Sequence, residues 1–416
     1  MAPGGPRPSV RPMTTTPLRV LVAGGGVAGI EALLALRALA GDRVDLTLAD
    51  AGPDFTYRPM KVAEPFARGQ ATRHPMAEIA RDIGVRLVAD SVVAVDDEAR
   101  IARTAGGEEL RFDALLLATG ARAEPAYEHA LTWDDRSGPD HLGGLLRDIE
   151  QGYVRRLAFV VPPGPAWPLP AYELALMTAV MASDAQTVPQ ITLVTPEVAP
   201  LALFGRAAIA AVTAELAAAG VDFRGCSYAE IDKGRATTLV LHPGMRRIDV
   251  DRVVALPRLY GRAPDGVPGD EDGFVAVDRH CKARGLRHVW AAGDGIAFPV
   301  KFGGLAAEQA DAAAEAIAAL AGADVTPEPF RPILRGRLLT GRSERFMHHV
   351  AGGGSGDGTV ADHALWWPPA KVAGRRLAPY LAERDGSAAG SRRTAPEGAG
   401  VAVQVDLTRE LAATSA

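Results

Sequence analysis

The sequence predicts an α/β fold made of two domains with parallel sheets, followed by a C-terminal appendage. Apolar strands alternate with helices over residues 17–260, a pattern typical of parallel sheets. A glycine-rich turn follows the first strand at 24–29, and a strand ending in Gly-Asp lies far away at 288–294. The chain has 416 residues, of which 48% are hydrophobic, so it can bury two cores.

The first turn has the spacing of a nucleotide-binding loop. An apolar strand enters Gly24-x-Gly26-x-x-Gly29, and an apolar helix follows over 30–40. We expect Gly24 to permit the tight turn, Gly26 to let a pyrophosphate approach the backbone, and Gly29 to let the helix pack closely on the strand. A purely structural glycine turn is the alternative.

The residues after the turn favour nucleotide binding over that alternative. The helix N-terminus, with Val27 and Ala28, offers free N–H groups and a positive dipole end to phosphates. The next strand, 44–50, ends in Asp50, which lies 21 residues after Gly29. A carboxylate at this distance is suited to accept hydrogen bonds from an adenosine ribose. The sequence therefore predicts a Rossmann-like dinucleotide-binding domain.

Two later strands carry a family resemblance. Residues 112–120 end in Ala-Thr-Gly, and 288–294 end in Gly-Asp before the predicted helix 304–320. With the first turn, they resemble the two-dinucleotide-binding-domain flavoproteins of the pyridine nucleotide–disulfide oxidoreductase superfamily. The resemblance implies FAD as cofactor, with Asp294 at the ribityl chain or phosphate. The further cofactor-binding residues that it implies are Arg58, Val93, Thr119, Gly120, Gly293, Lys301 and Gly304.

The resemblance also divides the chain into domains. We expect a split FAD domain at 17–121 and 273–325, a second Rossmann-like domain at 151–260, and a C-terminal domain at 326–385. The ends, 1–16 and 386–416, have compositions typical of disordered tails.

Composition excludes several classes of function. A net charge of −5 gives no reason to expect nucleic-acid binding. No apolar run approaches the roughly 20 residues that span a bilayer. Two cysteines fit a reducing cytoplasm. The histidines at 348, 349 and 363 match no strong ligand motif, so no metal site is predicted.

The second domain departs from the superfamily pattern at its own nucleotide turn. After the strand 157–161 the chain reads Pro-Pro-Gly-Pro-Ala-Trp-Pro-Leu-Pro-Ala-Tyr-Glu, with five prolines and only Gly164. Proline has no N–H to bind a phosphate, and Trp167 would fill the space of a pyrophosphate. We expect this domain to have lost tight NAD(P)H binding and to act as a scaffold.

A narrower resemblance points to the sulfide:quinone oxidoreductase and flavocytochrome c sulfide dehydrogenase branch. It rests on the proline-rich turn with Pro-x-Tyr-Glu, on the segment 55–60 after Asp50, and on 299–304 after Asp294. The resemblance implies that Lys301 lies at the pyrimidine end of the isoalloxazine, where a positive charge stabilises the anionic reduced flavin.

The redox cysteines of that branch are missing. The proline-rich turn carries Trp167, and the chain has no cysteine after Cys281. Cys226 and Cys281 do not have the spacing of a redox pair. We therefore expect two small thiols, buried or partly buried, and no sulfide or disulfide chemistry.

Glu173 is the second candidate catalytic residue. One interpretation is a proton relay near the flavin, because substrate reduction needs protons with the electrons. The alternative is a favourable carboxylate in the first turn of a helix. For Arg58 and Lys61, phosphate pairing and simple solvation remain open.

The segment 364–381 has two interpretations. Trp366 and Trp367 beside Lys371, Arg375 and Arg376 could lie at a membrane surface, which would put the protein at the inner face of the membrane. The alternative is that the tryptophans cover the flavin site or a homodimer interface.

The function predicted from these features is an FAD-dependent oxidoreductase. It would pass electrons from an unidentified small-molecule donor to a quinone-like or other small acceptor. Two alternatives remain: an NAD(P)H-dependent reductase of quinones or electron carriers, and a flavin-binding sensor without turnover.

Overall fold

The computed structural model describes residues 16–136, 138, 140–233, 237–351 and 357–386. The two predicted tails therefore lie outside the described residues, apart from Thr16 and Gly386. The helices are α1 Val27–Ala40, α2 Met76–Ile83, α3 Asp140–Glu150, α4 Leu169–Asp184, α5 Arg206–Ala218, α6 Gly303–Leu320 and α7 Leu377–Arg384.

The strands fall into a long first set and a shorter second set along the chain. Those before residue 200 are β1 Leu18–Ala23, β2 Val44–Ala49, β3 Asp54–Thr56, β4 Arg73–Pro75, β5 Arg86–Val88, β6 Val92–Asp96, β7 Ile101–Thr104, β8 Glu109–Arg111, β9 Ala114–Leu117, β10 Arg122–Glu124, β11 Leu131–Thr132, β12 Arg156–Val160 and β13 Gln190–Val194. The later ones are β14 Val221–Arg224, β15 Tyr228–Lys233, β16 Thr237–His242, β17 Arg246–Val250, β18 Arg252–Ala255, β19 Arg258–Tyr260, β20 Val289–Ala291, β21 Ile333–Leu339, β22 Glu344–Val350 and β23 Thr359–Ala361.

The first domain is built on a parallel sheet in the order β20-β9-β1-β2-β5. Its central strands are apolar except for Arg19 near the start of β1, because helices cover one face and further strands the other. Helices α1 and α6 pack against each other on this sheet, through runs of buried alanine. Strand β20 joins the sheet from far along the chain, so the two separated motifs lie in one sheet.

The second domain has a parallel sheet in the order β11-β18-β12-β13-β14. Helices α4 and α5 connect its parallel strands, and the antiparallel sheet β15-β16-β17 packs on the apolar residues of its other face. The alternation of strands and helices predicted this arrangement, and the α/β architecture with two Rossmann-like sheets is confirmed.

The C-terminal appendage contacts both domains. The antiparallel sheet β21-β22-β23 packs its buried face, including Leu338 and Met347, into the core of the second domain. Helix α7 buries Leu377 and Leu381 in the core of the first domain. The chain between them therefore crosses the cleft between the domains. No described helix combines the length and the apolar content that crossing a bilayer requires.

Candidate active site

The three glycines of the first turn have different surroundings. Gly24 has a φ of +108°, and a Cβ there would lie 2.3 Å from the Ala118 carbonyl oxygen. A Cβ on Gly29 would lie 1.9 Å from the carbonyl oxygen of Gly24. A Cβ on Gly26 would meet nothing within 4 Å. The fold itself therefore requires Gly24 and Gly29, while Gly26 faces open space.

The amide groups next to this open space are available to a ligand. Helix α1 begins at Val27, three residues earlier than predicted from the sequence. The N–H groups of Val27, Ala28 and Gly29 have no intrahelical partner, because they belong to the first turn of the helix. The turn can therefore bind an anion at a helix N-terminus.

Asp50 lies directly after β2 and beside the turn. Its Oδ2 accepts a hydrogen bond from the Gly25 N–H at 2.6 Å, and its Oδ1 accepts one from the Gly52 N–H at 2.7 Å. These bonds hold the carboxylate at the carboxyl end of the sheet, where the ribose prediction requires it. The role in ribose binding stays a prediction.

The Ala-Thr-Gly and Gly-Asp segments lie next to each other. A Cβ on Gly295 would lie 3.2 Å from the Gly120 carbonyl oxygen and 3.6 Å from Thr119 Oγ1. The Gly293 N–H donates to Gln309 Oε1 at 2.8 Å, which ties this turn to α6. Asp294 follows it and lines a cavity between the domains. Burial raises the pKa of the Asp294 carboxyl, and the charge of Lys301 opposes this shift.

Lys301 lines the same cavity, directly before α6. Its Nζ donates to the carbonyl oxygen of Ile296 and lies 3.9 Å from the ring centroid of Phe274. Burial lowers the pKa of Lys301 to about 8, and Asp294 opposes the shift. The ammonium group thus keeps a substantial positive charge at neutral pH beside the N-terminus of α6, which includes Gly304.

Glu173 forms a buried ion pair that the sequence did not predict. Its side chain on α4 is fully buried, and Lys371 Nζ lies 2.7 Å from Glu173 Oε2. Glu173 Oε1 also accepts the Leu339 N–H at 2.9 Å, and Lys371 Nζ lies 3.3 Å from the Pro59 carbonyl oxygen. Burial raises the pKa of Glu173 and lowers that of Lys371, because it disfavours both charged forms.

The cavity brings these groups together. It has a volume of about 200 Å³ and lies between the two domains, under the C-terminal segment. Its charged lining residues are Arg58, Asp134, Asp135, Arg136, Glu173, Asp294, Lys301, Arg335, Arg337 and Lys371. Its large apolar lining residues are Trp133, Trp167, Leu169, Leu256, Leu259, Phe302 and Val372. The cavity thus combines apolar walls, which can hold a small organic molecule, with charged groups that can orient it.

The second turn also leaves open space at Gly164, but its other residues differ from those of the first turn. The residues before α4 include Trp167, whose ring stacks on Phe302 with the centroids 4.2 Å apart. Glu197, just past the end of β13, accepts hydrogen bonds from the hydroxyls of Tyr172 at 2.7 Å and Thr195 at 3.1 Å. The acid nearest the ribose position of this domain is therefore engaged by side chains, and burial raises its pKa to about 7.

Two residues considered as cofactor contacts, Val93 and Lys61, do not line this cavity. Val93 is on β6, 43% exposed, with its carbonyl oxygen bonded to the Asp265 N–H, and it does not line the cavity. Lys61 pairs with Glu64 at 3.1 Å. Arg58 does line the cavity, where it opposes the burial that raises the pKa of Asp135 to about 6.

The two thiols have different environments. Cys281 is fully buried in the core of the first domain, and burial raises its pKa to about 12. Cys226 is exposed, so the expectation that both thiols are buried or partly buried is wrong for this residue. Neither lines the cavity.

The C-terminal segment corrects one assignment. The predicted basic face included Lys371, but Lys371 is buried because Glu173 pairs with it. The Arg376 side chain pairs with Asp311, which leaves Trp367 and Arg375 as the exposed members of the set. Trp366 packs edge-on against Phe346 and donates its Nε1–H to the Ala370 carbonyl oxygen at 2.9 Å. Neither tryptophan lines the cavity.

Sequence reasoning missed Lys371 as a site residue. The available signal was a single lysine within the otherwise uncharged stretch 364–374, apart from the paired arginines that follow. Tyr57 was also missed: it is largely buried, and its hydroxyl accepts the Val372 N–H at 2.8 Å, which fixes the segment over the cavity.

Comparisons with known proteins agree with this geometry. The pyridine nucleotide-disulphide oxidoreductase family matches residues 18–151 and 171–319, more than half of the chain. A sulfide-quinone reductase from Aquifex aeolicus (strain VF5) is 26% identical over 166 residues, a match that spans 38% of each protein.

Solved structures show the same fold at low identity. The sulfide:quinone oxidoreductase from Aquifex aeolicus has a TM-score of 0.72 at 17% identity and covers 89% of this chain and 90% of its own. A NAD-dependent persulfide reductase from A. fulgidus has a TM-score of 0.57 at 18% identity, with 80% and 64% covered. A ferredoxin reductase from Rhodopseudomonas palustris has a TM-score of 0.58 at 19% identity, with 80% and 83% covered. The chain belongs to the pyridine nucleotide-disulphide oxidoreductase family.

Proposed function

We propose that the protein is an FAD-dependent oxidoreductase. The electron donor reacts directly with the flavin, and the reduced flavin passes the electrons to a small, quinone-like acceptor. One observation carries the proposal. A single cavity joins Asp294 and Lys301 of the first domain to the buried Glu173–Lys371 pair. The first pair suits a flavin, and the second suits proton transfer.

The residues of the first domain fit FAD. The open space at Gly26 and the free amides of Val27 and Ala28 suit the pyrophosphate, and Asp50 suits the adenosine ribose. We expect Thr119, Gly120, Gly293 and Gly304 to contact the FAD, and Asp294 would bind the ribityl chain. When bound, FAD would supply the capacity to accept and release two electrons.

Lys301 supplies a positive charge in the cavity. Its pKa of about 8 keeps the ammonium mostly protonated at neutral pH. A cation at the pyrimidine end of the flavin would favour the reduced, anionic form. Arg58 lines the same cavity and would add positive charge near the phosphates.

The Glu173–Lys371 pair would deliver protons. Reduction of a quinone to the hydroquinone takes up two protons with two electrons. Burial raises the pKa of Glu173 and lowers that of Lys371, which brings the two proton affinities closer together. A proton can then move between Glu173 Oε2 and Lys371 Nζ across 2.7 Å, and on to a substrate in the cavity.

The donor is the open part of the proposal. The proline-rich turn and the engaged Glu197 argue against NAD(P)H in the second domain. The buried Cys281 and the exposed Cys226 argue against sulfide chemistry in the cavity. Three further proposals are a cytoplasmic location, a homodimer, and contact with the membrane surface through Trp367 and Arg375.

The first experiment is anaerobic. We expect the purified protein to show an oxidised-flavin spectrum that NADH or NADPH in slight excess does not bleach. Rapid bleaching would favour the NAD(P)H-dependent alternative. A flavin that neither nicotinamides, thiols nor sulfide reduce, and that duroquinone does not reoxidise after photoreduction, would favour the sensor alternative. A protein that cannot be reconstituted with FAD would refute the proposal.

A variant tests the proton path. We expect Glu173→Gln to keep its flavin spectrum but to be reoxidised by duroquinone about 100-fold more slowly after photoreduction, at the lower end of the usual range of general acid catalysis. Glu31→Gln is the matched control, because Glu31 is also fully buried and accepts two backbone N–H groups, from Arg376 and Leu377. Equal reoxidation rates in the two variants would remove Glu173 from the mechanism.

A further inference from the structure

The proline-rich turn of the second domain is bonded to the segment that carries Lys301. The Ala166 N–H donates to the Pro299 carbonyl oxygen at 3.2 Å, and the Lys301 N–H donates to the Ala166 carbonyl oxygen at 3.3 Å. The two segments thus run side by side as a short parallel bridge between Ala166 and Val300. The backbone of Lys301 is held by the other domain.

Trp167 extends this connection through its side chain. Its ring stacks on Phe302 with an interplanar angle of 15° and a centroid distance of 4.2 Å. Phe302 directly precedes α6 and directly follows Lys301. Two consecutive residues therefore make the connection: Ala166 is bonded to the Lys301 backbone, and Trp167 stacks on Phe302, the residue after Lys301.

The other side of Trp167 is anchored in the second domain. Its ring meets Phe204 edge-on at 5.9 Å, and Phe204 is fully buried in the core of that domain. Trp167 thus links a rigid core to the start of α6. A turn that would hold a nucleotide phosphate in a typical Rossmann-like domain here makes this contact.

The Lys301 backbone is bonded to Ala166, and its ammonium group donates to the Ile296 carbonyl oxygen. Its ammonium group must remain near Asp294 and Phe274, and a lysine side chain has many rotamers of similar energy. A small displacement of the backbone at 301 would therefore move the charge within the cavity.

We propose that Trp167 is a positioning residue that holds Lys301 against the pyrimidine end of the flavin, so that the second domain's turn helps to set the reduction potential of the FAD. The proposal rests on the proposed function, because it requires FAD in the first domain. It gives the altered turn a role beyond the loss of nucleotide binding.

The test measures the midpoint potential of the bound FAD in the full-length protein. We expect Lys301→Met to lower the potential, because the positive charge is lost. Trp167→Ala should lower it in the same direction by about a tenfold change in the oxidised-to-reduced equilibrium, about 30 mV for two electrons. The midpoint potential of Trp167→Phe should lie close to that of the wild type, since a phenyl ring can still stack on Phe302.

A double variant distinguishes positioning from general packing. If Trp167 acts through Lys301, Trp167→Ala should have no further effect on the potential in a Lys301→Met background. Tyr228→Ala is the matched control, because it also removes a ring that stacks on an aromatic neighbour, His242, but Tyr228 does not line the cavity. We expect its potential to equal that of the wild type.

Two results would overturn the proposal. One is a Trp167→Ala protein that is less stable to heat but has an unchanged potential. The other is an equal shift with and without Lys301. If Trp167→Ala does not fold, Trp167→Leu keeps apolar volume without stacking and gives the same readout. A wild-type protein without FAD would refute the proposed function instead.

Discussion

The two domains begin with the same local unit and use it differently. In the first, the chain passes from β1 through three glycine positions into α1; in the second, it passes from β12 through prolines and Trp167 into α4. The first turn leaves open space at Gly26. The second turn also leaves open space at Gly164, but it has prolines in place of the other glycines and stacks Trp167 on Phe302.

The acids that follow the two turns differ in the same way. Asp50 is held by two backbone N–H groups beside the first turn. Glu197 is bound by the hydroxyls of Tyr172 and Thr195, and its Oε1 is buried with no hydrogen-bond partner. The comparison teaches that two Rossmann-like units of one chain can differ at the turn and at the next strand end, which are the two places where such a unit binds a dinucleotide.

The largest expected loss of stability comes from replacing a glycine by alanine in the first turn and comparing it with the same substitution in the second turn. Gly24 and Gly164 have nearly the same φ, +108° and +110°, but a Cβ would clash only at Gly24. Alanine in this backbone region costs about 1–2 kcal/mol at either site. We expect Gly24→Ala to cost at least about 3 kcal/mol in unfolding free energy, because overpacking against backbone adds to that strain, and to lose FAD. Urea unfolding and flavin absorbance measure both; equal losses for Gly164→Ala would break the comparison.

The second largest loss of stability is expected at Glu173, which lies on α4 after the second turn and lines the cavity. Glu173→Gln leaves the Lys371 ammonium buried without its counter-charge, and we expect a loss of about 3 kcal/mol in unfolding free energy. Glu173→Gln with Lys371→Met should recover most of it. The control is Glu108→Gln, which breaks an exposed pair with Arg86 and should change stability by less than about 1 kcal/mol. The idea fails if the double variant is no more stable than Glu173→Gln alone.

The smallest effect tests the acid of the second domain. The pKa of Glu197 is raised to about 7, so the folded state binds this proton more tightly than the unfolded state. Its contribution to stability is therefore complete below the usual pKa of a glutamate and is lost as the pH rises through about 7. We expect Glu197→Gln to stabilise the protein by about 1–2 kcal/mol at pH 8, allowing for partial exposure, and by almost nothing at pH 4. Urea unfolding across this pH range checks it, and a gain independent of pH would contradict the burial argument.

Much of the framework could be predicted because its signals are local. The strand–turn–helix order and the glycine spacing follow from backbone sterics and hydrophobic pattern, so the predicted elements were found with ends shifted by one to three residues. The meeting of Gly120 with Gly295 followed from the family resemblance of two separate segments. Val93 had no such local signal, and it lies away from the cavity.

The sequence by itself determined the α/β class, the glycine-rich turn at Gly24–Gly29 and the proline-rich turn at the matching place in the second domain, since each depends on neighbouring residues. Only the tertiary structure decided which charges share the cavity. Glu173 and Lys371 are 198 residues apart, and a buried ion pair between them needs the C-terminal segment to cross the cleft. No local pattern distinguishes a lysine that lies on a surface from one that pairs inside a core. The difference comes from burial, which penalises an isolated charge and so selects the arrangement in which an opposite charge lies within hydrogen-bond distance.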